Sequence, residues 1–170
     1  MLYVQYWLLQ KSGLRWSSSH HLFVRRTGWR LSYPEFKGAL ALGLDGTGRL
    51  DEALVAVDHA IAADREGADS HGWYAAELLR IKGELLLQQA PGQPTPAVES
   101  CFDQAAQIAV EQEALFWELR VALSIARLRM SQGRHHEARA PLASVYDQFT
   151  EGFATADLQA ARALLDKLPL

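Results

Sequence analysis

Two stretches of this chain repeat each other. "GRLDEALVAVDHAIA" (48–62) and "GRHHEARAPLASVYD" (133–147) share Gly, Arg, Glu and Ala at the same offsets. Gly48 and Gly133 are therefore 85 residues apart, and "TPAVESCFDQAAQIA" (95–109) repeats the helical pattern between them without the glycine. One intervening unit sets a period of about 42 residues, and self-similarity at a fixed period marks a repeat array. Each unit reads as a helix, a small or polar turn, and a second helix opening on Glu-Ala. A single such pair cannot bury its apolar face, so neighbouring pairs must stack.

The apolar spacing agrees. From residue 35 onward apolar residues recur at three- and four-residue intervals, which predicts helices and no alternating strand. In "AAELLRIKGELLLQQ" (75–89), Leu78, Leu79, Leu85 and Leu86 share a stripe with Lys82, whose stem must snorkel at the edge. Similar windows cover 50–66, where Asp51 is a candidate cap, and 116–130. Breaks fall at "DGTG" (45–48), "EGADSHG" (66–72), "APGQPTP" (90–96), "QGR" (132–134) and "TEGFATAD" (150–157). An apolar fraction of 49% with 22% charged residues is that of a folded domain. A net charge of −3 supplies no field to recruit nucleic acid or an anionic membrane. No run reaches the ~18 apolar residues of a membrane span. The apolar start lacks a basic flank and a cleavage site, so no signal peptide is read. The single cysteine, Cys101, excludes an internal disulfide framework and fits a reducing cytoplasm.

Small residues at Ala41, Gly83 and Ala126 stand where the first helix of a tetratricopeptide unit packs closely on the second. Ala53, Val98 and Ala138 answer them, with Phe102 and Ala105 completing one unit. The chain thus resembles a long-period tetratricopeptide (TPR) array: an all-α, TPR-like solenoid of about three to four antiparallel helical hairpins with a C-terminal capping helix over 155–167. Residues 1–30 read as a degenerate N-terminal repeat or cap, and 31–170 as the helical-repeat domain. "WYAAELLRIKGELLLQQ" (73–89) and the run from "VESCFDQAAQIAVEQEALFWELR" (98–120) to "LQAARALLDKL" (158–168) resemble something more specific. They are similar to the C-terminal helical-repeat tail of large bacterial signalling proteins that carry a nucleotide-cyclase domain and a predicted ATPase module. Residues 27–54 share this resemblance more loosely. The sequence holds no Gly-rich Lys-Ser/Thr phosphate loop and no cyclase-like carboxylate pair, so the resemblance implies the non-catalytic end of such proteins. No enzyme activity and no cofactor is expected.

Candidate chemistry is thin. His135 and His136 are adjacent, and adjacent helical side chains diverge by about 100°, whereas helical metal ligands sit at i and i+3 or i+4. The pair reads as a polar turn, and no metal site is assigned. His20 and His21 share this weakness unless His59 or His71 joins them. Cys101 lies on an apolar stripe with no His or Lys beside it in sequence to lower its pKa, which argues for a buried hydrophobe. Glu111, Glu113, Glu118, Asp147 and Glu151 form no positioned acid–base pair. In "FVRRTGWR" (23–30), Arg25, Arg26 and Arg30 flank Trp29, the nearest approach to a nucleic-acid patch in an acidic chain.

What remains is a binding surface. Stacked units expose their first helices on a concave face. Glu77, Arg80 and Glu84 are expected to project there from one helix, and Arg120, Ser124 and Arg127 from the next. They would meet a protein or peptide partner. The alternative is ion pairing between units, such as Glu84 with Arg127. Trp73 and Trp117 are expected to wedge between units. Trp7, Trp16 and Trp29 would leave an apolar N-terminal end that favours a homodimer. The expected function is protein–protein interaction, regulatory or scaffolding, in a bacterial cytoplasmic signalling system. A self-associating remnant of a cyclase or ATPase tail and a small-molecule sensor are the alternatives.

Overall fold

The computed structural model describes residues 33–65, 72–90 and 95–168. The described chain is all-α, with seven helices and no strand among the described residues. They are α1 (Tyr33–Asp45), α2 (Leu50–Arg65), α3 (Ala75–Gln89), α4 (Pro96–Glu111), α5 (Leu115–Ser131), α6 (His135–Tyr146) and α7 (Ala156–Leu165). The chain divides between Tyr33 and Pro34, and the helices belong to the second unit apart from the first residue of α1. The odd-numbered helices begin at residues 33, 75, 115 and 156, steps of 42, 40 and 41.

The core is a succession of clusters rather than one centre. Ala41 of α1 packs with Ala53, Val57 and Ala60 of α2 and with Leu78, Ile81 and Leu85 of α3. Ala76 and Leu79 of α3 pack with Ala105, Ile108 and Ala109 of α4 and with Val121 of α5. Leu119, Leu123 and Ala126 of α5 pack with Ala138 and Leu142 of α6 and with Leu158, Ala161 and Leu165 of α7. Each of these clusters draws on three consecutive helices, so the helices between α1 and α7 are buried by neighbours on both sides. Helix α3 packs on α2, α4 and α5, and α5 packs on α3, α4, α6 and α7.

Small residues set the close approaches. Ala41 and Ala53, 12 residues apart, share one cluster, and Ala126 and Ala138, also 12 apart, share another. The matching pair in the middle, Gly83 and Val98, is 15 apart, because "APGQPTP" lengthens the connection. A Cβ on Gly83 would come within 2.5 Å of the Phe102 ring, which is itself buried. The absence of a side chain at 83 therefore fixes how closely α3 and α4 pack. Lys82 does snorkel, its Nζ reaching Asp58 Oδ1 at 2.7 Å. Helix α7 turns Leu158, Ala161 and Leu165 inward and leaves Gln159, Arg162 and Asp166 exposed. Arg139 donates to the carbonyls of Leu165 (2.7 Å) and Leu168 (3.1 Å), satisfying the α7 C-terminus.

Three helix ends close in the same way. After α1, Gly48 N–H donates to Asp45 and Arg49 N–H to Leu44; after α5, Gly133 N–H donates to Met130 and Arg134 N–H to Arg129. After α4, Glu113 N–H donates to Val110 and Ala114 N–H to Ala109. This Schellman closure needs a left-handed residue. Gly48 (φ 76°) and Gly133 (φ 73°) supply it without strain, whereas Glu113 (φ 52°) supplies it with a side chain. The arginine after each glycine then pairs with the shared glutamate, Arg49 with Glu52 and Arg134 with Glu137. Asp51 is consequently inside the first turn of α2 and is not its cap.

A Cβ at Gly133 meets nothing within 4 Å, so Gly133→Ala tests backbone conformation alone. It should cost about 1 kcal/mol, while Glu113→Gly should gain up to about 1 kcal/mol after the added freedom of the unfolded chain is deducted. Urea midpoints at unchanged slope measure both; a fall in midpoint for Glu113→Gly would contradict the strain at that turn.

Candidate functional site

Helix α3 places Glu77, Arg80 and Glu84 at i, i+3 and i+7, on one stripe. Helix α5 does the same with Arg120, Ser124 and Arg127 at i, i+4 and i+7. Where α3 packs on α5 the two stripes meet, and five of the six side chains join. Arg80 grips Glu77 with both arms, Nε to Oε2 at 2.7 Å and Nη2 to Oε1 at 2.8 Å. Its Nη1 lies 2.6 Å from Glu84 Oε1 and 3.3 Å from Ser124 Oγ. Ser124 donates its hydroxyl to Glu84 at 2.7 Å. Arg120 crosses back from α5, its Nη1 2.7 Å from Glu77 Oε1, and its Nε is 3.7 Å from Asp157 Oδ1 on α7.

The result is a polar seam through α3, α5 and α7. Glu77 is 0% exposed, and Arg80 and Ser124 are also buried. Burial works against the Arg80 charge, yet hydrogen bonding to Glu77 and the proximity of Glu77 and Glu84 hold its guanidinium above the ordinary arginine value. The expectation that Glu77, Arg80 and Ser124 project into an open groove is therefore corrected, because each is consumed by a neighbour's charge or lone pair. Glu84 and Arg120 are half-buried at the seam's edge, and Arg127 is exposed. Glu84 pairs with Arg80 and not with Arg127, and no ion pair involves Arg127 among the described residues.

Beside the seam, at the start of α3 and α5, lies an aromatic group. Trp73 and Trp117 have ring centroids 6.3 Å apart, Tyr74 meets Trp117 edge-on at 5.4 Å, and Phe116 meets Trp117 at 5.3 Å. Arg120 stands 5.9 Å from the Trp117 ring. Burial, with the Glu77 charge adding to it, pushes the Tyr74 phenol up to about 12. Trp117 links the two units by donating its indole N–H to the Trp73 carbonyl at 3.1 Å, but the Trp73 ring is not wedged between them: it is 51% exposed. The sequence signal for the group was the pair of tryptophans 44 residues apart; Tyr74, Phe116 and the α7 partner Asp157 carried none.

Other candidates are placed plainly. His135 and His136 are exposed at the first two positions of α6. No group of three or more His, Cys, Asp or Glu side chains that could hold a metal occurs among the described residues. Cys101 is buried, and burial pushes its thiol up, with Lys82 opposing. Trp7, Trp16, Trp29, His20, His21, His71, Arg25, Arg26 and Arg30 lie outside the described residues. No described helix is long and apolar enough to cross a membrane. On the other side of the α4–α5 pair, Arg129 grips Glu99 at 2.7 and 3.2 Å, and Gln132 adds a third hydrogen bond at 3.2 Å. No family model, curated protein or solved structure matches the chain.

The Arg129 hydrogen bond, helped by Gln132, holds the Glu99 carboxyl below the usual carboxylate range. A carboxyl depressed in the folded state contributes stability that is present above its unfolded pKa and is lost as pH falls through the folded value. Glu99→Gln should therefore lose less stability than the parent between pH 6 and pH 3, measured by urea midpoints. Parallel acid limbs for the two proteins would contradict this role for Glu99.

Proposed function

We propose that the chain is a non-catalytic, TPR-like helical-repeat protein that binds a protein or peptide partner, in a regulatory or scaffolding role. Support for the solenoid comes from the steps of 42, 40 and 41 residues between odd-numbered helices, and from the matched small-residue pairs. It comes also from the polar outer face of α7, since an array needs such an end cap. The single observation that carries the binding role is Arg127, an exposed cation without an ion pair among the described residues, at the end of a stripe whose other members are fixed by the seam. Glu84 and Arg120 sit beside it with part of their surface accessible. A partner crossing the odd-numbered helices would meet a mixed-charge edge on a rigid support, which lowers the cost of ordering on binding. The resemblance to the tails of bacterial cyclase and ATPase signalling proteins supports a cytoplasmic signalling setting.

A photo-crosslinking amino acid placed at position 127 tests this in the cell of origin. Gln104, exposed on α4, is the control position. A discrete protein adduct is expected from 127 and none from 104. Equal labelling from both positions, or none from 127, would contradict a partner on the odd-helix face.

A further inference from the structure

The aromatic group at the starts of α3 and α5 has a feature that the seam does not explain. Trp73 is 51% exposed and Phe116 44% exposed, and they flank the half-buried Trp117. Two large exposed rings packed on either side of a third form a cluster, unlike the single exposed apolar side chains that are ordinary on any surface. These rings are also held in place. Gly72, just before Trp73, donates its N–H to Asp64 of α2 at 3.0 Å and accepts from Gln112 Nε2 at 2.9 Å, while Trp117 holds the Trp73 carbonyl. Three different elements thus pin the backbone that presents Trp73. A rigid aromatic anchor is the kind of residue that dominates binding energy at interfaces.

The charges around the rings select a partner. Glu111, Glu113 and Glu118 lie within five residues of Phe116, and no ion pair involves any of them among the described residues. The last turn of α4 contains no basic residue. Arg120 is the cation nearest Trp117, but its guanidinium is already held by Glu77 and Asp157. Arg65 stands in the last turn of α2. Carboxylates without ion pairs beside open indole and phenyl faces favour a guanidinium or ammonium group that stacks on a ring while pairing with an acid. The geometry points to the aromatic group at the starts of α3 and α5 as a docking site for an arginine- or lysine-rich segment of a partner protein, with Trp73 and Phe116 as anchors and Glu111, Glu113 and Glu118 as the charge rim. The inference rests on the partner-binding reading above and assigns that partner its chemistry. The same carboxylates repel an acidic or phosphorylated segment and nucleic acid.

Indole N–H signals of the intact chain in ¹H–¹⁵N spectra, assigned by Trp→Phe variants, provide the readout. The probes are a synthetic peptide of repeated Arg-Pro-Leu and a matched Glu-Pro-Leu peptide. The basic peptide should shift the Trp73 and Trp117 indoles, and the acidic one should not. By fluorescence anisotropy, Trp73→Ala and the Glu111→Lys/Glu113→Lys double variant should each weaken the basic peptide about tenfold or more. Gln104→Ala, on the exposed face of α4, should leave it unchanged. Unfolding midpoints show that each variant is folded, and Phe116→Ala serves if Trp73→Ala is not. Equal binding of the acidic peptide, indole shifts that follow protein concentration without peptide, or unchanged affinity in the variants would overturn the proposal. Loss of this binding with the adduct at 127 intact removes this inference alone; loss of both removes the partner-binding reading as well.

Discussion

A carboxylate with none of its surface exposed needs partners for both oxygens, and Glu77 is the residue on which the middle of this molecule turns. Its two oxygens are met by both arms of Arg80 on its own helix and by Arg120 from the next odd-numbered helix. Arg120 reaches on to Asp157 of α7, so one chain of charges ties three helices that begin about 40 residues apart. Apolar packing between helices is tolerant of sliding, whereas a buried bidentate pair with a third partner has one geometry. The seam can therefore fix the register in which successive helix pairs stack, a use of buried charge more readily justified than net stability.

The apolar layer works with it. Each of the larger clusters is built from three consecutive helices, and none would be buried if one helix pair stood alone. Gly83 lets α4 approach α3 against the Phe102 ring, and the alanine pairs at 41/53 and 126/138 do the same for their neighbours. Stability in such a stack is a sum of local terms and neighbour interfaces. Arg127 at the seam's edge and Trp73 and Phe116 beside it stay exposed outside this packing.

Local pattern made much of this legible. The window "AAELLRIKGELLLQQ" matches the bounds of α3, with Leu78, Leu79 and Leu85 of its stripe buried and Leu86 only half-buried, the Lys82 stem behaves as its position demands, and Gly48 and Gly133 stand where helix ends must turn left-handed. The end of α4 carries no glycine or proline to announce it, because Glu113 takes the left-handed turn with a side chain. Asp51 was misplaced as a cap because the Schellman closure ends at Arg49, which starts α2 at Leu50, two residues before a helix capped by Asp51 would begin. The seam was read as a surface for a different reason. Charged residues on a helix default to solvent, and Glu77 is buried only because Arg120 arrives 43 residues later. That dependence is non-local and leaves no trace in periodicity. Exposure of Trp73 was hidden in the same way, since a tryptophan at a repeat junction reads as a wedge until its neighbours are placed.

The coupling between Glu77 and Arg120 is the most direct measure of whether the seam joins the units. A double-mutant cycle with Glu77→Gln and Arg120→Met, followed by urea unfolding, isolates it from the contacts Arg120 makes with Trp117 and Asp157. A coupling of about 2 kcal/mol is predicted, with each single variant losing more than half of what the pair loses together. Additive losses, with a coupling below about 0.5 kcal/mol, would mean that the helices are held in register by apolar packing alone.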